Sequence, residues 1–485
     1  MKDFLIYNKG NFLFLKQSHA IGKGTHMLEK RLYEQILGIA LSGGADFAEV
    51  YCEYTRNGRI ALMNERIEAI TDEVVSGVGI RAFRGTSTVY GSTSDISPQG
   101  LVKCARAVAE AMGEIGEGQN VVLTERIFPN IHPVTIVPSS AATSYKTDLL
   151  KLACSNAKAY DKRIVQAAGN LLTVDHTIEI ANSEGLLTSD RHIRTRMAVS
   201  AIASDGTETQ SGSSSPGRGM GLEVFEMFKP EDIGTEAARQ AIVNLGAVYC
   251  PAGQMPVAIE SGFGGVIFHE ACGHSLEATS VGIGCSQMCG KLGQKIANEK
   301  VTAIDDGTIA GAWGSVNIDD EGHPTQRNVL IENGILKSYM IDRLGSRRMG
   351  MPSTGSGRRE SYAYEPTSRM TNTFIDNGPD KNEDIIASIE YGLYAKSMGG
   401  GSVNPLTGDF NFAVNEGYIV RNGKICEAVR GASLIGNGSQ ILQDIDMVGQ
   451  NLATGQGMCG SSSGSVPTDV GQPLIRVSKI TVGGR

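Results

Sequence analysis

The chain has 485 residues, which is too long for one ordinary core and predicts two or three domains. Hydrophobic residues make up 41% of the chain and charged residues 20%, as in ordinary globular proteins. Because 52 acidic residues outnumber 44 basic ones, the formal net charge is −8, and we expect no direct contact with nucleic acid or an anionic membrane.

From the N-terminal residues we expect neither an export signal nor a membrane span. No apolar run reaches the roughly 18 residues that span a bilayer, and no small-residue cleavage site follows the first apolar stretch. The nine cysteines are odd in number and scattered, which favours reduced thiols and a cytoplasmic location. We expect residues 1–26 to be a disordered extension or a misassigned start, with the compact fold beginning near Met27.

The first half of the chain mixes helical and strand patterns. Apolar residues at helical spacing follow Met27, and the next pattern predicts a half-buried strand at 48–54 and a hairpin turn at 56–59. Further elements follow: a helix that begins at Ser97-Pro98, a helix at 143–160, strands at 165–203, a flexible loop at 211–221 and a helix at 231–245. These patterns predict an N-terminal α+β domain of the α/β sandwich type over residues 27–250.

The second half, residues 251–485, has one early helix around the sequence FHEACGHS (268–275). From Val301 onward, turn signals such as ENG (332–334) and RNG (421–423) recur at intervals of roughly ten to fifteen residues, which favours antiparallel strands. The predicted fold class is therefore α+β, with a strand-rich, barrel-like C-terminal domain.

The sequence FHEACGHS places His269 and His274 five residues apart, with Glu270 directly after the first histidine. On a regular helix, residues five apart differ by about 140° in azimuth, so the two imidazoles would point apart. They can share a metal ion only if the helix is widened, and Gly273 gives the backbone freedom for a π-bulge across residues 270–274. Glu270 lies about 100° round the helix from His269, where a general base for a metal-bound water belongs.

A catalytic zinc usually takes three protein ligands, so a third residue is needed. Four residues could supply it: Cys272 within the same turn, Glu277 three residues after His274, His323 in a turn, and Cys459 in a glycine-flanked loop. The spacing does not decide between Glu277 and Cys459. It also leaves open that the two histidines are unrelated residues on a core helix.

A resemblance to a known family rests on six segments that occur in order: FHEACGHSLEA (268–278), VTAIDDGT (301–308), NIDDEGHPTQRNVLIENGILKSYMIDR (317–343), SRMTNT (368–373), RGASLIGNGSQIL (430–442) and GMCGSSSGSVPTDVGQPLIRVSKITVGG (457–484). With these segments the chain resembles the TldD/PmbA family, which includes zinc metallopeptidases and was once labelled as modulators of DNA gyrase. The resemblance extends from about Met27 to the C-terminus. The H-E-x-x-x-H sequence is similar to that of the TldD-like, catalytic branch.

The resemblance implies that Cys459, in the GMCG segment, is the third zinc ligand and that Glu277 supports a ligand instead. It also implies a dimer, formed by two like chains or with a PmbA/TldE-type subunit, and a substrate that is an unfolded, extended peptide. Backbone pairing with a strand edge would explain tolerance of many side chains. We expect the substrate strand to contact the SRMTNT segment, at Arg369, Met370, Thr371 and Asn372.

The sequence therefore predicts a cytoplasmic zinc metallopeptidase. His269, His274 and Cys459 would bind the ion, and Glu270 would take a proton from water. One alternative is a non-catalytic peptide-binding or regulatory subunit with a structural zinc, which would escort a toxin, an antitoxin or a modified peptide. Another is a regulator of DNA gyrase, although the acidic composition argues against direct DNA contact.

Two further cysteines depart from the family pattern. Cys285 and Cys289 form a C-x-x-x-C pair in the insert SVGIGCSQMCGKLGQ (280–294). We interpret them as two free thiols rather than as a second metal or redox site.

Overall fold

A computed structural model describes residues 26–404 and 407–484 of the chain. Residues 1–25 lie outside the described residues, so the predicted N-terminal extension stays a prediction. In the first half the structure has these elements: α1 (Lys30–Leu41), β1 (Phe47–Met63), β2 (Arg66–Arg84), β3 (Ser87–Thr93), α2 (Pro98–Met112), β4 (Thr124–Glu125), α3 (Thr143–Ala159), β5 (Ile164–Asn182), β6 (Leu186–Ser204), β7 (Thr209–Ser214), β8 (Gly217–Arg218), α4 (Val224–Met227), α5 (Pro230–Gly246) and β9 (Val248–Tyr249).

The first sheet has the strand order β3-β2-β1-β5-β6-β4, and β7 and β8 also pair with β6. Helices α1, α2, α3 and α5 cover one face and bury apolar side chains of the central strands. The opposite face contacts the second half of the chain, where Tyr51, Ile178 and Ile180 pack with Ile318. Strand β1, predicted to be half-buried, is therefore buried on both faces from residue 47 to residue 53.

The turn predicted at 56–59 is wrong, because β1 continues through these residues between β2 and β5. The chain turns instead at Asn64 and Glu65, which both have positive φ angles. Gly58 faces Thr173 so closely that a Cβ atom on it would lie 2.5 Å from the threonine Oγ1. This glycine therefore permits close packing between strands and does not form a turn.

The flexible loop predicted at 211–221 is also wrong, because β7 and β8 pair with β6 in this segment. Gly212 lies under α5, where a Cβ atom would be 2.3 Å from the carbonyl oxygen of Ala237. The glycine brings helix and strand into contact. The helix predicted at Ser97-Pro98 is confirmed as α2, since the Ser97 side chain accepts a hydrogen bond from the backbone N–H of Gly100.

The second half of the chain is rich in strands, with short helices between them. Its elements are β10 (Gly253–Ile259), α6 (Val266–Ala271), α7 (Ala278–Val281), β11 (Ala303–Asp306), β12 (Arg327–Glu332), β13 (Ile335–Leu336), α8 (Arg343–Met349), β14 (Gly357–Arg358), β15 (Thr367–Ser368), β16 (Asn372–Ile375), α9 (Asn382–Ala387), β17 (Tyr391–Val403), β18 (Asp409–Arg421), β19 (Lys424–Arg430), β20 (Ser433–Asn437), α10 (Gly438–Asp444), β21 (Ile445–Val448), β22 (Ala453–Ser461), β23 (Gly464–Gln472) and β24 (Ile475–Gly483).

Five strands of the second half close into a barrel. The order β17-β10-β24-β20-β18 is closed by a further pairing between β17 and β18. A separate sheet has the order β13-β12-β11-β16-β23-β22, which leaves β22 at its edge. Helix α6 packs between these two structures, against β16, β17 and β18. The predicted α+β class with a barrel-like C-terminal part is thus confirmed, while the domain boundary at residue 250 stays a prediction.

In the part of the chain that the structure describes, no helix is both long and apolar enough to cross a membrane.

Candidate metal centre

The two histidines of FHEACGHS lie on either side of a break in the helix. Helix α6 ends at Ala271, and a single 3-10 turn, Gly273–Leu276, follows. Cys272 forms the junction with φ −130° and ψ −42°. The predicted π-bulge is therefore wrong, because the extra residue is accommodated by ending the helix and not by widening it. The consequence for the histidines is the expected one, since their ring centroids lie 5.0 Å apart.

Gly273 is required here by packing and not by its backbone freedom. It is not among the residues with positive φ. A Cβ atom on Gly273 would lie 2.4 Å from the sulfur of Met370. The short turn that carries His274 therefore fits closely over the Met370 side chain.

Cys459 brings a third potential ligand to the two histidines. Its Sγ lies 3.2 Å from Nε2 of His269 and 3.4 Å from Nε2 of His274. One ligand atom from each of the three residues lies within 4.8 Å of the others. The sequence predicts a loop around Cys459, but the residue lies within β22, opposite Val466 of β23. A paired strand holds the thiol more firmly in place than a loop would.

The charges around this cluster favour a thiolate. Burial raises the pKa of Cys459, but the charges and hydrogen bonds of His269 and His274 outweigh that effect and lower it to about 4. Burial also lowers the pKa of His274, and the neighbouring Glu277 carboxylate raises it well above its ordinary value. Buried Cys272 differs, because burial raises the pKa of its thiol to about 12 and it lies outside the cluster.

Two glutamates contact His274 on different ring nitrogens. Nδ1 of His274 donates to Oε2 of Glu277 over 3.2 Å, and this carboxylate is almost fully buried. Such a contact fixes the orientation of the imidazole and directs Nε2 toward Cys459. Glu270 is more exposed, and its Oε2 lies 3.7 Å from Nε2 of His274. Glu270 is thus a carboxylate at the accessible side of the cluster.

The buried side chain of Arg369 contacts both the hairpin that carries Cys459 and the Glu277 carboxylate. It is fully buried, and its Nη2 donates to the carbonyl oxygen of Cys459. Its Nη1 donates to Ser463 Oγ and to the carbonyl of Gly464, both at 2.9 Å, in the turn between β22 and β23. Its Nε lies 3.9 Å from Oε1 of Glu277. One guanidinium therefore holds both the Cys459 hairpin and the carboxylate that orients His274.

The residues proposed from the sequence to contact substrate are all buried: Arg369, Met370, Thr371 and Asn372. Thr371 donates its backbone N–H and its hydroxyl to Asp305, at 2.7 and 2.9 Å. The amide of Asn372 donates to the carbonyl of Asp306 and to Ser315 Oγ. The structure thus places these side chains beneath the cluster, as its support, and not on an open surface.

Sequence reasoning missed the supporting role of Arg369 and the part that Trp313 takes in holding the hairpin. The Trp313 indole donates to the carbonyl of Gly457 at 2.9 Å, and its backbone N–H donates to Asp469 at the same distance. No spacing pattern signals these contacts, because they join segments more than 140 residues apart. Trp313 is, however, the single tryptophan of the chain, which is a weak signal of a special position.

The remaining candidates lie apart from the cluster. His323 is in a turn, and its Nδ1 lies 2.9 Å from the carbonyl of Pro324. Cys285 is exposed and Cys289 is partly exposed, and both are free thiols.

Comparisons with known proteins agree on one family. Three family models match: PmbA/TldA metallopeptidase domain 1 at residues 48–111, the central domain at 137–245 and the C-terminal domain at 252–484. A protein of Haemophilus influenzae named Metalloprotease TldD homolog is 38% identical over 451 residues, which cover 90% of this chain and 93% of that protein. A protein of Saccharolobus solfataricus named Zinc metalloprotease TldD homolog is 31% identical over 313 residues, covering 63% of this chain and 70% of its own length.

Solved structures show the same fold at lower identity. A Thermotoga maritima protein, described as a candidate modulator of a DNA gyrase, has a TM-score of 0.76 and 22% identity, and the match covers 93% of this chain and 99% of that one. TldE from Thermococcus kodakarensis has a TM-score of 0.72 and 20% identity, covering 93% of this chain and all of its own.

Proposed function

The chain belongs to the TldD/PmbA family and is a metallopeptidase, and we propose that it hydrolyses unfolded or extended peptides with a zinc ion held by His269, His274 and Cys459. The observation that carries this proposal is the cluster itself, in which both imidazole Nε2 atoms lie within 3.4 Å of one thiolate. A relative named as a zinc metalloprotease supports the choice of metal.

The donor set fits zinc. Two imidazole nitrogens and a thiolate are among the ligands that zinc prefers, and a low thiol pKa removes the proton that would compete with the metal. Atoms that share a tetrahedral zinc at about 2.0–2.3 Å lie roughly 3.5 Å apart, close to the separations between Cys459 and each histidine. Three protein ligands leave a fourth position for water or substrate.

A zinc ion bound there would polarise the scissile carbonyl and make water more acidic. Glu270 would accept the proton released from that water on its carboxylate and pass it to the leaving amine. Its partial exposure at the cluster and its distance of 3.7 Å from His274 suit a group that must contact water and substrate. Glu277 would hold His274 in one tautomer, because its carboxylate accepts from Nδ1.

The position of β22 explains how an extended peptide could be bound. This strand carries Cys459 and lies at the edge of its sheet. A substrate strand that paired with such an edge would lie along the metal centre and would be held mainly through its backbone. We further propose a dimer, formed either with a second copy or with a PmbA/TldE-type subunit, and the likeness of fold to TldE supports that partnership. Light scattering of the purified chain, alone and mixed with such a subunit, tests it.

Replacing Glu270 tests the mechanism directly. Glu270→Gln should keep one zinc per chain and lose cleavage of an unfolded peptide by at least about 100-fold. The matched control is Glu299→Gln, since Glu299 is a well-exposed carboxylate whose contact is a surface ion pair with Lys295. Zinc content by metal analysis and product formation by mass spectrometry are the two measurements. Wild-type cleavage by Glu270→Gln would remove Glu270 from the mechanism.

A further inference from the structure

A cavity lies on the side of the β22–β23 hairpin that faces away from the proposed metal centre. It has a volume of about 330 Å³, lies between the first sheet and the C-terminal half, and is partly open to solvent. Met458 and Cys459 are neighbours on β22, and successive side chains of a strand point to opposite faces. Met458 lines this cavity, whereas Cys459 contacts the histidines. The same strand therefore separates the two sites and forms a wall of each.

Two buried arginines line the cavity without a direct ion pair to a carboxylate of the described residues. Arg194 and Arg358 are each only 4% exposed. Arg194 donates to the carbonyls of Trp313 and Ser315, at 2.8 and 3.4 Å. Arg358 donates from Nη1 to the carbonyl of Met370 at 2.6 Å. Among the residues that the structure describes, Asp320 attracts both guanidinium groups through space, but no carboxylate oxygen lies within ion-pair distance of either.

Other buried arginines of the chain do form ion pairs with a buried carboxylate. Arg81 and Arg359 each have a nitrogen 3.0 Å from Oε1 of Glu49. A buried charge without a partner costs several kcal/mol, so it is retained where something else compensates it. Burial and, next, the charge of Arg358 lower the pKa of Arg194 to about 10, and these effects outweigh the attraction of the more distant carboxylates of Asp320, Asp190 and Asp469.

The carboxylates that share the cavity wall are already bound within the chain. Asp320 accepts from the backbone N–H of Arg359 at 2.8 Å, and Glu360 accepts from that of Ser465 at 2.6 Å. Glu53 accepts from the Thr55 hydroxyl and the Tyr362 backbone, and burial raises its pKa to about 7. The guanidinium groups of Arg194 and Arg358 are thus charges of the wall without a direct ion pair, although Asp320 attracts both from a greater distance.

We propose that this cavity binds the carboxylate of an acidic side chain in a peptide whose scissile bond lies at the metal centre. The proposal rests on the proposed peptidase function and adds a substrate class to it. A cavity of 330 Å³ has room for more than a single small ion and falls in the range of organic ligand sites. Arginine pairs bind carboxylates through parallel hydrogen bonds, which gives direction as well as charge. A peptide bound along β22 would contact both faces of the hairpin at its edge.

The test compares two C-terminally amidated peptides that differ only by Glu or Gln at one position, scanned along the sequence. For zinc-loaded wild type, we expect kcat/KM to favour the Glu peptide by about tenfold at one position. Arg194→Gln should reduce this ratio to about one. The control Arg196→Gln should keep it, because Arg196 lies on the same strand but binds Ser215 away from the cavity.

A steric variant and a binding measurement separate the possible failures. Val174 lines the cavity and carries no charge, so Val174→Phe should fill the space and also abolish the preference. Calorimetry with zinc-loaded Glu270→Gln should show tighter binding of the Glu peptide than of the Gln peptide. Equal binding of both peptides, or succinate binding as tightly as the Glu peptide, would overturn the proposal. If no peptide were cleaved by wild type, the proposed function would fail, and the calorimetry would still decide the cavity.

Discussion

Arg369 donates a hydrogen bond to the carbonyl oxygen of Cys459, 90 residues away in the sequence. The same guanidinium lies 3.9 Å from Glu277, whose other oxygen accepts from His274. Two proposed ligands that come from opposite ends of the C-terminal half, Cys459 directly and His274 through Glu277, are therefore held by one buried side chain. The proposed ligands are thus positioned by buried groups that have partners of their own, and not by being neighbours in the chain.

Replacing Arg369 should weaken metal binding without removing a ligand. Arg369→Lys keeps a positive charge but cannot contact Cys459, Ser463 and Glu277 together. We expect zinc affinity to fall by about 10–100-fold, as when other residues that orient metal ligands are lost. Competition with a chromogenic chelator measures this affinity. Arg421→Lys is the control, because Arg421 forms a surface pair with Glu427, and an unchanged affinity in Arg369→Lys would contradict the assigned role.

The two buried cysteines near the histidines should respond differently to substitution. Cys459→Ser removes the thiolate of the cluster, and we expect zinc affinity to fall by more than about 100-fold. Cys272→Ala leaves the cluster intact, since Cys272 lies outside it, and should keep one zinc per chain. Metal analysis after gel filtration distinguishes the two proteins. Equal zinc loss in both variants would mean that the helix break, and not the thiolate, determines binding.

Much of the fold could be predicted from local patterns. Ser97-Pro98 predicts the start of α2 because the serine side chain satisfies a backbone N–H at the first turn. The glycines at 58 and 212 do not form the predicted turn and loop, since each permits close contact with a segment that is distant in the sequence. Glycine in a turn and glycine under a packed helix give the same sequence signal.

For the candidate site, too, some features could be predicted from local sequence and others depend on distant segments. The pair of histidines could be predicted to need an irregular helix, because a regular one separates their rings. The break at Cys272 and the requirement for Gly273 depend on Met370, which reaches the helix through the fold. The place of Cys459 depends on the pairing of β22 and β23, so spacing alone could not identify it and the family resemblance was needed.

Asp305 should make stability depend on pH. It is buried, accepts hydrogen bonds from Thr371 and Thr373, and burial raises its pKa to about 6. The folded state then binds the proton more tightly than the unfolded state does, for which the pKa is about 3.8. The free energy of unfolding should therefore fall as the pH rises from about 4 to about 6, by roughly 2–3 kcal/mol.

The measurement uses metal-free protein, so that zinc release at low pH does not contribute. Urea unfolding of wild type and Asp305→Asn is compared at pH 4.5 and pH 7.5. The asparagine amide can donate to the Thr371 hydroxyl, so the variant keeps the local contacts and loses the titration. Wild type should lose more stability than the variant between the two pH values. Parallel behaviour of both proteins would show that Asp305 does not titrate in this range.

Gly273 and Met370 should be coupled in both stability and metal binding. A methyl group on Gly273 would lie 2.4 Å from the Met370 sulfur, so Gly273→Ala must push the methionine or the turn that carries His274. Overpacking of this kind costs about 1–3 kcal/mol, and a displaced His274 would also weaken zinc binding. Met370→Ala removes the obstacle at the cost of a cavity. In that background Gly273→Ala should reduce the free energy of unfolding by less than it does in wild type, the difference being about 1 kcal/mol or more.

Urea unfolding of the four proteins gives the coupling energy, and chelator competition shows whether zinc affinity follows it. Additive effects would mean that the glycine is needed for its backbone conformation and not for the space beside Met370.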